Sequence, residues 1–461
     1  MKNDILFYMW TIFFISLPIA VDVFYMRISY FVFIMLFLFF LMSSSIDIKN
    51  AIFQLKSPLA LPGAIFLLII VFSIFQSRFI PANSYIIDHS ILNYPWIKSI
   101  SHIILLFLLT IIFLAVIFFI DTKEKLKKVV IQYGKIATIF SVFSLLIFFL
   151  NIFFGVNIHG GTINTVVDIP GDNPRLVSLE QEPLFLGLYL ITSLSLLCSL
   201  LFTEKNKKWI FFAITIVIIT LFLTQSRSAI LGFIFAAIIF LFQYKCECKQ
   251  IISQTIKKVI SSKFLIFIII SLLIIITTTS VVYNTEIITF TKPIITKSII
   301  VPIIGAFDSS YGKFVSTQTR FIMSHYALEA FQQHPWLGVG YENYNFYTGQ
   351  RYYYGLYDFN LNWPEVNNYP LKVLTELGIV GMFCFVILNI TFYYTLLKAI
   401  SHAKDIFLKN LLNCFFAGSV GIIVVLLFSS SITKPYLWVF LAVGISAINF
   451  VENENVQGEH S

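Results

Sequence analysis

Long, uninterrupted apolar runs recur along almost the whole chain and constrain its fold more than any other feature. A helix needs roughly 20 mostly apolar residues to cross the ~30 Å hydrocarbon core of a bilayer. About twelve runs meet this requirement: 5–26, 29–46, 58–76, 98–120, 129–155, 183–203, 209–224, 227–244, 264–284, 373–397, 409–431 and 435–451. Because polar residues do not alternate with apolar ones in these runs, they predict helices and not a membrane β-barrel. The sequence therefore predicts an all-α polytopic membrane protein.

The scarcity of charged residues supports this class. Only 12% of the residues are charged and 58% are hydrophobic, whereas a soluble domain carries about 25% and 45–50% respectively. An ordinary water-soluble enzyme is therefore excluded. The first run is followed by Arg27 without a small-residue cleavage pattern, so we expect a retained helix and not a signal peptide.

Lysines predict the orientation in the membrane. They concentrate in alternate loops, at Lys49, Lys56, Lys123, Lys125, Lys127, Lys128, Lys205, Lys207, Lys208, Lys245, Lys249, Lys257, Lys258, Lys263, Lys398, Lys404 and Lys409. The positive-inside rule makes these loops cytoplasmic, with both termini inside, while Lys98, Lys313 and Lys434 fall singly on the outer side. The net charge of +8 then reflects topology and contact with the lipid bilayer. Nucleic-acid binding is not expected, because no basic face is formed.

Three regions follow from this arrangement. Residues 1–284 carry the first nine predicted helices, residues 285–370 form a large outer loop, and residues 371–461 carry the last three helices and a cytoplasmic tail. Loops of this length without a function are uncommon in compact proteins. Within the loop, apolar residues spaced three and four apart predict a helix over 317–331 that ends before Pro335.

Arginines are distributed differently from lysines. The chain has six, and all are predicted on the outer side: Arg27, Arg78, Arg175, Arg227, Arg320 and Arg351. The planar guanidinium group can bind phosphate or carboxylate through two parallel hydrogen bonds. For Arg27 and Arg78 we favour simple snorkelling or pairing with acidic loop residues. The set as a whole predicts an anionic ligand at the outer face.

Carboxylates lie in short polar segments at the predicted outer ends of helices. Glu180 and Glu182 precede Pro183, a residue suited to a first helical turn, and Glu365 precedes the tenth predicted helix. A carboxylate at such a position either stabilises the positive end of the helix dipole or serves as a general base. Both interpretations remain open for Glu182.

Aromatic residues of the outer loop are candidates for sugar binding. Trp336 follows His334 and Pro335, and Tyr341 opens a tyrosine-rich run that extends to Tyr357. Such rings either stack on sugars or lie at the level of the lipid headgroups.

No cofactor is expected. The sequence has no metal-ligand spacing, Walker loop or dinucleotide-binding fingerprint, and Cys246 and Cys248 lack a second pair of zinc ligands.

The order of three motifs resembles the O-antigen polymerase/ligase superfamily, which includes the Wzy and WaaL types. Thr-Gln-Ser-Arg-Ser at 224–228 opens a helix, and Arg320 precedes His-Pro-Trp-Leu-Gly-Val-Gly at 334–340 in the outer loop. Asn367 and Asn368 then precede Leu-Thr-Glu-Leu-Gly-Ile-Val-Gly at 374–381. The resemblance covers roughly residues 170–385.

The resemblance implies a GT-C-like, metal-independent glycosyltransferase in the bacterial inner membrane. Its substrate would be an undecaprenyl-diphosphate-linked oligosaccharide, and its active face would be periplasmic. By this resemblance Arg227 and Arg320 hold the diphosphate, and Arg175 and Arg351 are expected to assist. A chain-length regulator protein is a candidate partner.

One departure from the family pattern favours a polymerase over a ligase. Ligases usually carry a histidine near the position of Asn367 and Asn368, and asparagine cannot accept a proton. The candidate bases are therefore Glu182 first, then Glu180 and Glu365, and finally His325 and His334. Candidate sugar-positioning residues are Asn367, Asn368, His334, Trp336 and Tyr341.

Two alternatives to a polymerase stay open. The first is a ligase that passes glycan to lipid A-core or another acceptor. The second is a flippase for the lipid-linked oligosaccharide, which would also need cationic groups. The absence of an evident internal repeat or of paired broken helices disfavours this transporter.

Overall fold

The computed structural model describes residues 2–19, 22–23, 26–43, 58–80, 94–154, 159–160, 163–164, 166–167, 175–244, 315–352 and 365–459. Within these ranges the fold is helical, with three short antiparallel strand pairs. The helices are α1 (Lys2–Ser16), α2 (Ile28–Ser43), α3 (Ala60–Phe72), α4 (Pro95–Phe119), α5 (Lys123–Phe154), α6 (Pro183–Leu200), α7 (Lys207–Leu223), α8 (Arg227–Gln243), α9 (Val315–Gln333), α10 (Tyr344–Tyr352), α11 (Tyr369–His402), α12 (Ile406–Leu426) and α13 (Pro435–Glu459). A 3₁₀ helix (Ser73–Phe79) follows α3. The strands are β1 (Asp22–Val23), β2 (Met26–Arg27), β3 (His159–Gly160), β4 (Ile163–Asn164), β5 (Val166–Val167) and β6 (Arg175–Leu176), paired β1–β2, β3–β4 and β5–β6.

Most predicted runs coincide with helices. The run at 264–284 lies outside the described residues, and each of the others overlaps a helix. The prediction for 5–26 is wrong in its second half, since α1 ends at Ser16 and β1 and β2 follow. Pro18 explains the early end, because its ring cannot donate a helical hydrogen bond and clashes with the preceding turn. The helix predicted at 317–331 is observed as α9.

Seven helices of the described chain are long and apolar enough to cross a membrane. They are Ala60–Phe79, Pro95–Phe119, Lys123–Phe154, Pro183–Leu200, Tyr369–His402, Ile406–Leu426 and Pro435–Glu454. Large apolar side chains on their outer faces are exposed, among them Ile104, Ile139 and Phe383. Exposed apolar surface of this kind is what a bilayer covers, so the protein is a multi-pass membrane protein.

Close packing of small residues aligns the helices that carry the site. α12 packs against both α6 and α8. A Cβ atom at Gly232 of α8 would lie 2.5 Å from the carbonyl oxygen of Gly421 in α12, so the backbones touch where side chains are absent. Small residues at such crossings are a common way for membrane helices to approach closely. The chain reverses between α6, α7 and α8, so α6 and α8 begin at the same end of the bundle.

Candidate active site

A tight turn places Arg227 at the first position of α8. Thr224 donates a hydrogen bond from Oγ1 to the carbonyl oxygen of Leu221 (2.7 Å) and accepts one from the backbone N–H of Ser226 (3.2 Å). Gln225 adopts a positive φ of 47°. The Thr-Gln-Ser segment thus links α7 to α8 with few residues, and it fixes the position from which the arginine side chain projects.

Three arginines from separate segments share one electrostatic environment. Burial lowers the pKa of Arg320 in α9, and Arg227 and Arg175 lower it further by charge repulsion, while Glu182 opposes the shift. Such effects indicate proximity, because the interaction energy of two charges falls as the distance between them grows. Arg175, Arg227 and Arg320 therefore form one group, here called the arginine cluster.

Glu182 lies beside the arginine cluster and does not cap its helix. It occupies the position before Pro183 at the start of α6, but its side chain makes no capping hydrogen bond. The surrounding protein raises the pKa of this carboxyl by displacing water, although the residue remains exposed to solvent. Glu365 and Glu180 add to the increase, whereas Lys434 and Arg320 oppose it. The interpretation of Glu182 as a helix cap is therefore not supported.

The two other candidate carboxylates have different surroundings. Glu180 is fully buried, in the turn between β6 and α6. Glu365 is half-buried and accepts a short hydrogen bond from the Ser430 hydroxyl, beyond the end of α12. Because both influence the pKa of Glu182, the three carboxylates lie near one another.

Lys434 is a further cation of this site that sequence reasoning missed. It is buried just before α13, with Nζ 3.4 Å from the centroid of the Phe185 ring and 3.4 Å from Oε1 of Gln181. Its charge lowers the pKa of Glu182. The sequence signal for this role was that Lys434 stands alone on the predicted outer side, where the positive-inside rule predicts few lysines.

The His-Pro-Trp-Leu-Gly-Val-Gly segment and the start of α11 form one structural unit. Gly338 and Gly378 both have a φ of 66°, and α11 is kinked at Gly378. The backbone N–H groups of Val339 and Gly340 donate to the carbonyl oxygens of Thr375 (3.0 Å) and Glu376 (2.9 Å). A Cβ at Gly378 would lie 2.3 Å from the Trp336 carbonyl oxygen. This contact holds the C-terminal end of α9 against α11.

The residues predicted to position sugars are distributed around this unit. Oδ1 of Asn368 accepts a hydrogen bond from the backbone N–H of Leu371 (2.9 Å) and caps α11, with half-buried Asn367 next to it. Tyr341 is buried in an apolar cluster with Tyr369 and other residues of α3, α4 and α11. Asn368 and Tyr341 therefore have structural contacts, and the sequence did not anticipate them.

The remaining predicted residues lie on the surface or outside the description. Trp336 is 69% exposed, and the His334 ring packs edge-on against that of Tyr347. His325 lies in α9 beside Tyr326. Arg351 belongs to α10, but its side chain lies outside the described part of the structure.

A second charged network is buried next to the helix kink. Nζ of Lys372 in α11 donates to Oε1 of Glu342 at 2.6 Å, and both side chains are almost inaccessible to solvent. Nε2 of His102 lies 3.9 Å from the other carboxylate oxygen. Burial alone would raise the pKa of Glu342, but Lys372, His102 and Lys98 outweigh it and hold this pKa well below its usual range. A charged residue at the start of an apolar helix was the only sequence signal of this network.

Replacing Lys372 with methionine should destabilise the protein by about 3–5 kcal/mol, because the Glu342 carboxylate would stay buried without its partner. Denaturant unfolding of the detergent-solubilised protein measures this loss. The double variant Glu342→Gln/Lys372→Met should recover much of the stability, since it leaves neither member of this pair charged without its partner. Equal losses in the single and double variants would contradict the assignment.

Residues 210–386 match the family model described as O-Antigen ligase. This segment includes Arg227, Arg320 and the unit formed by the His-Pro-Trp-Leu-Gly-Val-Gly segment and the start of α11. Glu182 and Lys434 lie outside it. A search of curated proteins found no match for the chain. The family match confirms the resemblance inferred from the motifs.

Proposed function

We propose that this chain, whose residues 210–386 match the O-antigen ligase family model, is a Wzy-type polymerase of a surface polysaccharide. In this proposal it transfers a growing glycan from its undecaprenyl-diphosphate carrier to a lipid-linked repeat unit. The reaction would take place at the outer face of the inner membrane.

The observation that carries the proposal is the convergence of the arginine cluster with Glu182 at one end of the bundle. A glycan diphosphate gains negative charge as its bond to the sugar breaks. Fixed guanidinium groups in a site poor in water stabilise such developing charge strongly. Arg227 and Arg320 therefore suit a diphosphate leaving group, and Arg175 adds to the positive potential.

The neighbouring carboxylate suits the acceptor side of the same transfer. The acceptor hydroxyl oxygen forms a bond to the anomeric carbon while the bond from that carbon to the diphosphate oxygen breaks. Glu182 receives the hydroxyl proton, and the electron pair of the broken bond stays on the carrier diphosphate. The raised pKa of Glu182 makes it a stronger base than an ordinary glutamate.

The polymerase is preferred to a ligase because of the residues before α11. Asn367 and Asn368 occupy the region where ligases usually carry a histidine, and Asn368 caps the helix through its side chain. An amide cannot act as a base at neutral pH. A ligase is the second candidate, favoured by the description of the matching family.

Reconstitution in liposomes tests the function. With a lipid-diphosphate-linked repeat unit as the sole sugar substrate, a polymerase should produce a ladder of longer lipid-linked glycans on a gel. Glycan transfer that occurs only after lipid A-core is added would identify a ligase and overturn the proposal. Movement of the repeat unit across the bilayer without any glycosidic bond formation would identify a flippase, with the same consequence.

A further inference from the structure

A cavity of about 530 Å³ lies at the opposite, lysine-rich end of the bundle. Its walls come from α1, from the end of α4 and from the first turns of α5. Lys125, Lys128 and Lys135 line one side, and Phe7 and Phe119 contribute aromatic surface. The cavity therefore combines cationic groups with apolar walls.

The length of α5 places this cavity at the level of the lipid headgroups. The helix has 32 residues, but roughly 20 suffice to cross the hydrocarbon core. A membrane-spanning segment of roughly 20 residues that ends at Phe154 begins next to Lys135. The large exposed apolar residues of α5 lie between Ile139 and Phe154, on the membrane side of this limit. Lys125 and Lys128 precede Lys135 and lie further toward the aqueous phase.

Two of the three lysines are available to a ligand. Lys125 pairs with Asp121 at 2.6 Å and lies 5.7 Å from the Phe119 ring centroid. Within the described part of the chain, the side chains of Lys128 and Lys135 have neither a hydrogen bond nor an ion pair. They are seven residues apart and so lie on one face of the helix. Glu124 is the acidic residue of the lining.

We propose that this cavity binds the phosphodiester headgroup of an anionic phospholipid from the adjacent leaflet. Lys128 and Lys135 would hold the phosphate, and the aromatic wall would contact the glycerol and the first acyl carbons. Basic pockets between membrane helices are known binding sites for such headgroups. A free phosphate would contact only the lysines and not the apolar wall. An anionic phospholipid therefore fits this cavity better than free phosphate does.

The bound lipid would reinforce the junction between α1 and α5. These helices already meet through a hydrogen bond from Nε2 of Gln132 to Oγ1 of Thr11 at 2.7 Å. The Trp10 ring of α1 also stacks on Phe119 at the end of α4, with centroids 4.8 Å apart. The cavity is at the other end of the bundle from the arginine cluster, so the proposal does not depend on the proposed function.

Native mass spectrometry and thermal unfolding of the purified full chain test the site, with phosphatidylglycerol as the probe and phosphatidylcholine as the comparison lipid. Phosphatidylglycerol should bind and raise the unfolding temperature. The Lys128→Gln/Lys135→Gln variant should bind it about tenfold or more weakly, because each lysine near an anionic headgroup contributes substantially. Lys128→Arg/Lys135→Arg keeps both charges and should bind like the wild type.

The matched control is Lys205→Gln/Lys208→Gln, which removes two exposed lysines at the same end but outside the cavity. It should retain wild-type binding. Equal loss in the control and the cavity variant would overturn the proposal, because it would indicate a diffuse charge effect. Equal affinity for phosphatidylcholine would also overturn it. Inorganic phosphate that competes as well as the lipid would reveal a soluble-anion site and refute the lipid assignment.

Discussion

Replacing Arg320 with alanine should lower the rate of glycan transfer by about 100-fold or more, the usual cost of losing one fixed donor to a developing oxyanion. Arg320 is partly buried among Arg175, Arg227 and Glu182, so its charge acts where water screens it poorly. Single-turnover transfer from the lipid-diphosphate donor in liposomes measures the effect. In cells that make lipopolysaccharide, the same variant should leave lipid A-core capped with one repeat unit.

Two variants make the Arg320 result specific. Arg320→Lys keeps the charge but loses the planar fork, so its activity should fall between those of the wild type and the alanine variant. Arg78→Ala removes an exposed arginine that lies 5.8 Å from the Phe75 ring centroid, and it should leave transfer unchanged. A wild-type rate in Arg320→Ala would remove this residue from the proposed mechanism.

Replacing Glu182 with glutamine should reduce transfer by about 10²–10⁴-fold, the range expected for the loss of a positioned general base. The pH profile gives a sharper test. A base works only when deprotonated, so wild-type activity should fall as the pH decreases through the raised pKa of Glu182. The glutamine variant should retain a low activity without this acidic limb.

The neighbours of Glu182 should move the acidic limb in opposite directions. Glu365→Gln removes a negative charge that raises the pKa of Glu182, so the limb should shift to lower pH. Lys434→Met removes a positive charge that lowers this pKa, so the limb should shift to higher pH. An acidic limb that persists in Glu182→Gln and disappears in Glu365→Gln would identify Glu365 as the base instead.

The membrane class was readable from the sequence because insertion depends on local properties of the chain. The length of an apolar run decides whether it can span the bilayer, and this quantity needs no knowledge of distant residues. The helix carrying Arg320 was predicted for the same reason, from residue spacing and from Pro335. The error at 5–26 arose within that local information, since Pro18 interrupts an otherwise apolar run.

Local information left several site residues with two interpretations. Asn368 could have contacted a sugar, but its side chain caps α11. Tyr341 could have stacked on a substrate, but it is buried in an apolar cluster with Tyr369. In both cases the backbone and apolar neighbours that occupy the side chain were not apparent from the motif itself.

The sequence alone determined that this is a helical membrane protein, that its arginines concentrate outside the lysine-rich loops and that it resembles one glycosyltransferase superfamily. Only the tertiary structure decided which of these charges act together. The packing of α12 against α6 and α8, and of α9 against α11, brings Arg175, Glu182, Arg227 and Arg320 into one site. Lys434 and the Glu342–Lys372 pair were recognised only there, because the pKa and the stability of a buried charge depend on neighbours far away in the chain.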